Sequence, residues 1–275
     1  MKLIGRICLV FVCSVLAAQQ EPAQAPAAPS PVKPQEPENI ERMMSISLYD
    51  WLPNGGPKFR GGVTVIEPPS HTLALPKKPS RAYGAMLTIP MRGSTRLELS
   101  FETIHDRGNA LAPTDLVLFG GTIPKDEPLA MDYSLRHVKG SWNYLTYPNP
   151  PQDAKFRIKT LWEVHYLQLY PTVIATASGP DQPFSAKRTI LLPAAGLGLE
   201  YVASKHFRLE LRGSGMGFPN HSALGDGEAS AVVRVRRVEI FAGAKALYFR
   251  TSPKQETYIN GTLWGPYGGL RWVFR

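Results

Sequence analysis

One stretch of the chain decides how the rest is interpreted: residues 207–218 read FRLELRGSGMGF. Apolar side chains occupy every second position at its start, charged side chains stand between them, and the run ends in alternating glycines. A period of two places the apolar set on one face of a β-strand and the charged set on the other. The stretch is about twice as long as the 5–6 residues of a typical strand in a soluble protein. It matches the roughly 9 to 11 residues with which a tilted strand crosses a bilayer, so it predicts a membrane-crossing strand.

The same alternation recurs along the chain beyond residue 43. We predict about ten strands, an even number that returns both ends of the sheet to the same side of the membrane. The predicted strands are 44–52, 81–91, 95–105, 130–147, 155–170, 189–203, 206–218, 227–236, 238–250 and 258–274. The pattern therefore predicts an all-β fold, a transmembrane up-and-down antiparallel β-barrel of about ten strands, with eight to twelve as the range.

Three alternatives stay open at this point. The segment Gly62–Glu67 could pair as a further strand, and Gly140, where the alternation of the strand 130–147 changes phase, could mark a β-bulge. A secreted, water-soluble β-sandwich is the rival fold, because it also alternates apolar and polar side chains. Strand length favours the membrane barrel over the sandwich.

The connections between the predicted strands alternate between short and long. Short ones fall near Arg92–Ser94, at 204–205 and at 236–237, and longer stretches rich in Pro, Gly and Asp fall at 105–129, 173–188 and 218–227. Bacterial barrels have short periplasmic turns and longer outer loops. We therefore expect the short turns and both ends of the barrel to face the periplasm, with 148–154 as a longer periplasmic turn.

The first 18 residues have the composition of an export signal. Lys2 and Arg6 precede the apolar run 7–16, and the small residues Ala17 and Ala18 follow it. This order predicts a secretory signal peptide cleaved near Ala17 or Ala18. Both cysteines of the chain lie within it, so thiol chemistry is excluded for the mature protein. Residues 19–43 are rich in proline and predict a disordered periplasmic linker, which leaves 44–275 for the barrel.

The chain is basic, with a formal net charge of +9. Nucleic acid is not expected as a partner, because the chain is exported and contains no compact run of Lys and Arg. A barrel of about ten strands is narrow enough for side chains to fill its interior. The charged positions of the alternation predict these lumen-facing residues: Arg96, Glu98, Glu102, Arg157, Lys159, Glu163, His165, Glu200, Arg208, Glu210, Arg212, Arg234, Arg236, Glu239, Lys245 and Arg271.

Confined charges of opposite sign most simply pair with one another, which predicts a structural role for this lumen. The alternative is a narrow, porin-like channel in which the excess of positive charge weakly favours anions. The spacing of the histidines predicts no metal site, and no motif predicts a cofactor or a catalytic residue. We therefore do not expect an enzyme.

One cluster of residues suggests that the protein is instead an enzyme. Asn220, His221 and Ser222, with Asp226 and Glu228 following, would place a base, a nucleophile and an orienting acid on an outer loop of a lipid hydrolase. Asn, Ser, Asp and Gly are also the residues that turns require. A surface adhesin or receptor acting through the outer loops is a further alternative.

The last eight residues, GGLRWVFR at 268–275, carry a family resemblance. With Leu270, Trp272 and Phe274 on one face, they resemble the closing strand of Gram-negative outer-membrane β-barrel proteins, although Arg275 follows the aromatic residue that usually ends the chain. In that family this strand is recognised by the barrel assembly machinery. The resemblance implies an outer-membrane location with lipid and lipopolysaccharide as surroundings. A periplasmic partner for the Pro-rich segment is a further expectation.

Overall fold

The computed structural model describes residues 43–61, 72–74, 81–118, 121–147, 155–177, 183–217, 221–252 and 257–274. Its strands, in chain order, are β1 (Ser45–Trp51), β2 (Lys58–Gly61), β3 (Thr72–Ala74), β4 (Arg81–Pro90), β5 (Thr95–Leu111), β6 (Leu116–Leu118), β7 (Gly121–Ile123), β8 (Pro128–Tyr147), β9 (Phe156–Ala175), β10 (Pro183–Ser185), β11 (Arg188–Val202), β12 (Phe207–Gly217), β13 (Ala223–Val235), β14 (Val238–Arg250) and β15 (Thr257–Val273). Within these residues no helix is long and apolar enough to cross a membrane.

Ten of the described strands close into one antiparallel barrel, in the order β1, β4, β5, β8, β9, β11, β12, β13, β14 and β15. The seam joins β15 to β1, where Ser45 pairs with Val273 and Trp51 pairs with Tyr267. Every barrel strand thus has a partner on both sides, so its backbone hydrogen bonds are satisfied without a free edge. The prediction of an all-β antiparallel barrel of about ten strands is confirmed.

The two ends of the barrel differ. We call the end that carries Ser45 and Val273 the inner end; there, tight turns join β4 to β5 and β13 to β14. Gly93 (φ 71°) and Arg236 (φ 56°) hold the left-handed backbone that these turns require. The opposite, outer end carries the short strands β2 and β3, the hairpin of β6 with β7, and β10, which pairs with β9.

Four of the barrel strands extend two or more residues farther toward the outer end than predicted. β5 continues to Leu111, β8 begins at Pro128, β9 continues to Ala175 and β13 begins at Ala223, so much of the stretches 105–129, 173–188 and 218–227 is strand. The reason is an inversion of polarity along the strands. In β8, for example, the buried inward side chains change from Leu135 to Lys139 along the strand. A search for one constant apolar face loses the alternation at that inversion, as it does in the predicted strand 130–147.

The inversion also explains the change of phase near Gly140. The irregularity in the pairing of β8 with β9 lies between Leu145 and Tyr147, so the expectation of a bulge at Gly140 is wrong. The suggested strand Gly62–Glu67 lies outside the described residues. So do the signal peptide 1–18, the turn 148–154 and nearly all of the Pro-rich segment 19–43.

The outer surface of the barrel is strongly apolar. Large hydrophobic side chains point away from the lumen on the membrane-length part of the strands and stay exposed; they include Ile46, Leu48, Leu99, Phe101, Val138, Trp142, Tyr144, Trp162, Val164, Leu197, Leu209, Leu211, Ile240, Trp264, Leu270 and Trp272. A contiguous apolar surface of this extent is destabilising in water and stabilising against lipid. The sequence pattern that suggested a membrane barrel therefore corresponds to an outward-facing apolar belt rather than to a second sheet.

Candidate functional site

The interior of the barrel consists of three layers stacked from the outer to the inner end. The apolar layer comprises Trp51, Phe59, Leu73, Ile104, Leu116, Leu118, Ile123, Leu129, Met131, Tyr133, Leu135, Leu167, Leu169, Val173, Ile190, Leu224, Leu247, Phe249, Ile259 and Leu263. The central layer comprises Glu102, His137, Lys139, Glu163, His165, Asp226, Glu228 and Lys245. The vestibule, at the inner end, is lined by Arg96, Glu98, Arg157, Lys159, Glu200, Lys205, Arg208, Glu210, Arg212, Arg234, Glu239 and Arg271.

The apolar layer fills the outer half of the lumen. Among the described residues, nine of the ten barrel strands contribute at least one buried hydrophobic side chain to it when Ala82 of β4 is counted with the residues above. Phe59 of β2 and Leu73 of β3 pack onto it from above, as do Leu116 and Leu118 of the β6–β7 hairpin. The short outer strands thus cover the barrel with a hydrophobic core of the kind found in a small soluble domain.

The central layer contains a chain of hydrogen bonds that runs between two buried glutamates. His137 Nδ1 lies 2.7 Å from Glu102 Oε1, and His137 Nε2 lies 3.0 Å from His165 Nδ1. His165 Nε2 lies 3.0 Å from Glu163 Oε2. Two hydroxyl groups complete the coordination of Glu163: Ser141 donates to its Oε1 at 2.9 Å, and Ser214 donates to its Oε2.

The number of protons in this chain follows from its geometry. Each of its three links needs one hydrogen between the two heavy atoms. Two neutral imidazoles supply two N–H groups, and an ionised carboxylate supplies none. Hydrogen bonds at all three links therefore require one proton more than two neutral histidines and two carboxylates carry. With that proton, the four side chains together carry one negative charge.

Two lysines neutralise the remaining acids of the central layer. Lys139 Nζ lies 2.6 Å from Asp226 Oδ2. Lys245 Nζ lies 2.8 Å from Glu102 Oε2 and 3.0 Å from Glu228 Oε1, so it binds two strands to each other across the lumen. The ring of Trp51, in the apolar layer, lies over the same ammonium at 5.5 Å. All these charges are removed from water, where an ion pair is strong but costly to form.

Glu163, His165 and Asp226 are the described residues whose ligand atoms come close enough to hold a metal ion, all within 4.8 Å of one another. Both nitrogens of His165 already contact protein partners at 3.0 Å. Lys139 already places a positive charge beside Asp226. A metal ion would have to displace these partners, so the arrangement favours a hydrogen-bonded network over a metal centre.

Arginines and glutamates pair around the vestibule. Arg208 binds Glu239 through two parallel contacts of 2.7 Å each, the bidentate geometry that makes such pairs strong. Arg271 lies 3.1 Å from Glu239, and Arg212 lies 2.5 Å from Glu98. Two of these contacts link strands that are not neighbours in the barrel, Arg208 on β12 with Glu239 on β14 and Arg212 on β12 with Glu98 on β5, whereas Arg271 and Glu239 lie on the neighbouring strands β15 and β14.

The structure places fifteen of the sixteen predicted lumen residues on the inner side of the barrel strands. These are Arg96, Glu98, Glu102, Arg157, Lys159, Glu163, His165, Glu200, Arg208, Glu210, Arg212, Arg234, Glu239, Lys245 and Arg271. Arg236 is the exception, because it lies exposed in the turn between β13 and β14, and assigning it to the lumen is wrong. That strand ends at Val235, one residue earlier than predicted.

Four members of the central layer were missed as lumen residues: His137, Lys139, Asp226 and Glu228. A signal for the first two was present, since His137, Lys139, Ser141 and Asn143 alternate with outward residues. Asp226 and Glu228 were instead assigned to an outer-loop cluster with His221 and Ser222. The structure places both acids on β13, pointing inward, whereas His221 is exposed before the strand begins. Asn220 lies outside the described residues.

The residues of the predicted assembly signal face outward at the inner end of β15. Leu270 and Trp272 are 56% and 50% exposed, and Phe274 follows the strand. Ile46 and Leu48 on β1 pair with Trp272 and Leu270, so the signal lies at the seam of the barrel.

Comparison with known proteins agrees with this architecture. No family model and no curated protein matches the sequence. Among solved structures, the outer membrane protease OmpT from Escherichia coli is similar over 87% of this chain and 99% of its own, with 8% identity and a TM-score of 0.60. The chain therefore has the fold of Gram-negative outer-membrane β-barrel proteins.

Two further solved structures of that class resemble the chain less. The toluene transporter TodX of P. putida matches 87% of this chain and 91% of its own, with 6% identity and a TM-score of 0.37. The attachment invasion locus protein Ail of Yersinia pestis matches 82% of this chain and 98% of its own, with 8% identity and a TM-score of 0.36.

Proposed function

We propose that this protein is a closed, non-conducting β-barrel of the bacterial outer membrane with a structural rather than a transport role. The observation that carries the proposal is the apolar layer, which spans the lumen at the outer end. Its members Trp51, Tyr133, Leu135 and Phe249 are all buried. A hydrated solute crossing this layer would have to give up its water without meeting a compensating polar group, which is strongly unfavourable.

The polar half of the lumen supports the same role. Lys139, Lys245, Arg208 and Arg212 are each paired with carboxylates on other strands. Charges arranged in this way connect the wall of the barrel from inside and leave few mobile groups to line a solute path. A ten-stranded barrel is also close to the width at which side chains fill the interior.

The remaining features fit a barrel that is delivered to the outer membrane and assembled there. We propose removal of the signal peptide near Ala17 or Ala18, insertion by the barrel assembly machinery through the closing strand β15 and Phe274 after it, and lipid and lipopolysaccharide around the apolar belt. The barrel begins at Ser45 on its inner end, so the Pro-rich segment 19–43 would enter the periplasm, where it could contact a partner.

Planar-bilayer recording of the purified protein tests the closed state. We expect no discrete conductance steps from wild-type protein at moderate voltage, because ions would have to cross the dry apolar layer. Insertion is checked on the same sample by heat-dependent gel migration of protein recovered from the bilayer lipid. Reproducible unitary steps from inserted wild-type protein would contradict the proposal and would restore the narrow channel as the better interpretation.

A further inference from the structure

The vestibule is a dead-end cavity of about 100 Å³ at the inner end of the lumen. A single water needs roughly 10–15 Å³ of such space, so the cavity has room for a small hydrated ion or for one anionic group. Met43, Val273 and the turn at 204–206 lie at its rim, which places its opening at the periplasmic end of the barrel. The central layer and then the apolar layer lie beyond it.

The charges that line this cavity are unbalanced. Its described lining contains eight Lys or Arg side chains and four carboxylates, all glutamates. Each of the four glutamates is already in contact with at least one of these cations. A single glutamate, Glu200, lies within 4 Å of three cations, Arg157, Lys159 and Arg208. The cavity therefore has more positive charge than its own acids can neutralise.

The central layer offsets this excess only in part. It contains Glu102, Glu163, Asp226 and Glu228 against Lys139 and Lys245, so its own imbalance is negative and lies deeper in the lumen. Arg212 is the link between the two regions, because it contacts Glu98 and lies 3.7 Å from Glu163. The interior charge is thus separated, with the positive part at the open end.

We propose that the vestibule is a binding site for multivalent oxyanions that reach it from the periplasm. Guanidinium and ammonium groups recognise carboxylates and phosphates through charge-assisted hydrogen bonds. A concave site with low-dielectric walls concentrates the field of those groups. The buried apolar layer closes the lumen beyond the vestibule and the central layer, so the anion is bound in the vestibule and does not pass through the barrel.

An oxyanion that fits the vestibule has two sources. One is a free phosphate-type anion. The other is the chain itself, because Glu41 precedes Met43, which lies at the rim. At about 3.3–3.6 Å per residue, Glu41 is at most about 7 Å of chain away from Met43, so its effective concentration at the vestibule would be high.

Titration calorimetry of the full chain in detergent with inorganic pyrophosphate tests the proposal. We expect saturable binding of one anion per barrel, weakened by added sodium chloride because the attraction is electrostatic. The variant Arg157→Gln with Lys159→Gln removes two cations from β9 and should weaken binding by about tenfold or more. The matched control, Arg236→Gln with Arg237→Gln, removes the same charge from the exposed turn at the same end and should leave binding unchanged.

A milder variant keeps the test valid if the Arg157→Gln, Lys159→Gln variant does not fold. Lys205 lies exposed in the turn between β11 and β12, so Lys205→Gln cannot disturb the buried ion pairs, and it should weaken binding about twofold to fivefold. The inference is overturned if wild-type protein shows no saturable heat with pyrophosphate, or if the turn control weakens binding as much as the vestibule variants. This result is independent of the conductance test.

The variant Glu41→Gln distinguishes the two sources. If the carboxylate of Glu41 occupies the vestibule, pyrophosphate binds several-fold more tightly to the variant than to wild-type protein, because an internal competitor has been removed. If the affinities are equal, the natural ligand is a free anion. Both results support the site and assign its source.

Discussion

At the scale of single residues, the stability of the lumen depends on buried ion pairs in which each charge is compensated by its partner. Lys139 is 6% exposed and Asp226 is also 6% exposed, and their contact of 2.6 Å lies inside the barrel wall. Removing one partner leaves a buried charge uncompensated, whereas removing both leaves only the loss of a pair whose net contribution is small. The central layer therefore predicts strong coupling between individual substitutions.

A double-mutant cycle measures this coupling. Lys139→Met should lower the free energy of unfolding by about 3–5 kcal/mol, because Asp226 then stays buried without its lysine. Lys139→Met combined with Asp226→Leu should recover most of the loss. The measurement is urea unfolding in lipid vesicles, followed by tryptophan fluorescence.

The single variant Asp226→Leu completes the cycle, and Lys125→Met, an exposed lysine between β7 and β8, is the control for loss of a surface charge. If the double variant is as unstable as the sum of the two single variants, Lys139 and Asp226 are not coupled, and the interpretation of the central layer as an interdependent network is wrong.

At the scale of elements, the strands show what a sequence can and cannot reveal. The alternation in 207–218 predicted β12 within a residue of its ends, since Arg208, Glu210 and Arg212 face the lumen and Leu209 and Leu211 face outward. That prediction succeeds wherever a strand separates lipid from a polar interior. It is less complete for β5, β8, β9 and β13 in the outer half of the barrel, where the interior becomes apolar and the same alternation has the opposite sense.

The candidate site was predicted less completely than the fold, for two physical reasons. Asp226 and Glu228 stand among glycines and small residues, a composition that also favours turns, so nothing local distinguishes a lumen-facing position there. The contacts that define the central layer also join strands far apart in sequence, as Lys139 and Asp226 do. Periodicity assigns a residue to a face of its own strand but does not identify its partner across the barrel.

The seam between β15 and β1 provides a prediction about strand packing. Gly269 pairs with Tyr49, and a Cβ atom at Gly269 would collide with the backbone of Leu48. Gly269→Ala should therefore separate the two strands and destabilise the barrel by about 1–3 kcal/mol, the usual cost of overpacking. The measurement is the midpoint of thermal unfolding in detergent.

Gly213→Ala is the matched control. This glycine lies on β12, and a Cβ atom there would meet no atom within 4 Å. Equal midpoints for Gly269→Ala, Gly213→Ala and wild-type protein would show that the seam tolerates a methyl group and that the close approach of β1 and β15 is not needed for closure.

At the scale of the whole molecule, closure is the property that connects the layers to one another. An open sheet of the same strands would expose unpaired backbone groups at β1 and β15 and would have no enclosed space in which to separate charges. The ring of strands places an apolar belt outside, ion pairs inside and an apolar layer across the outer half. The inner vestibule is then the open, basic part of an otherwise filled interior.

Closure also determines how the molecule should unfold. A sheet without edges that is connected across its lumen by pairs such as Arg208 with Glu239 has no strand that can be released alone, so unfolding requires the whole ring to open. Detergent-extracted protein should therefore migrate faster on a gel when unboiled than after boiling in sodium dodecyl sulfate. Purification in the aqueous phase without detergent, or identical migration of boiled and unboiled samples, would show that the apolar belt does not face lipid.

The double variant Arg208→Met with Glu239→Met tests the contribution of the lumen, because it removes an ion pair and leaves the sheet intact. The temperature at which the fast-migrating form is lost should fall only if such pairs resist opening of the ring.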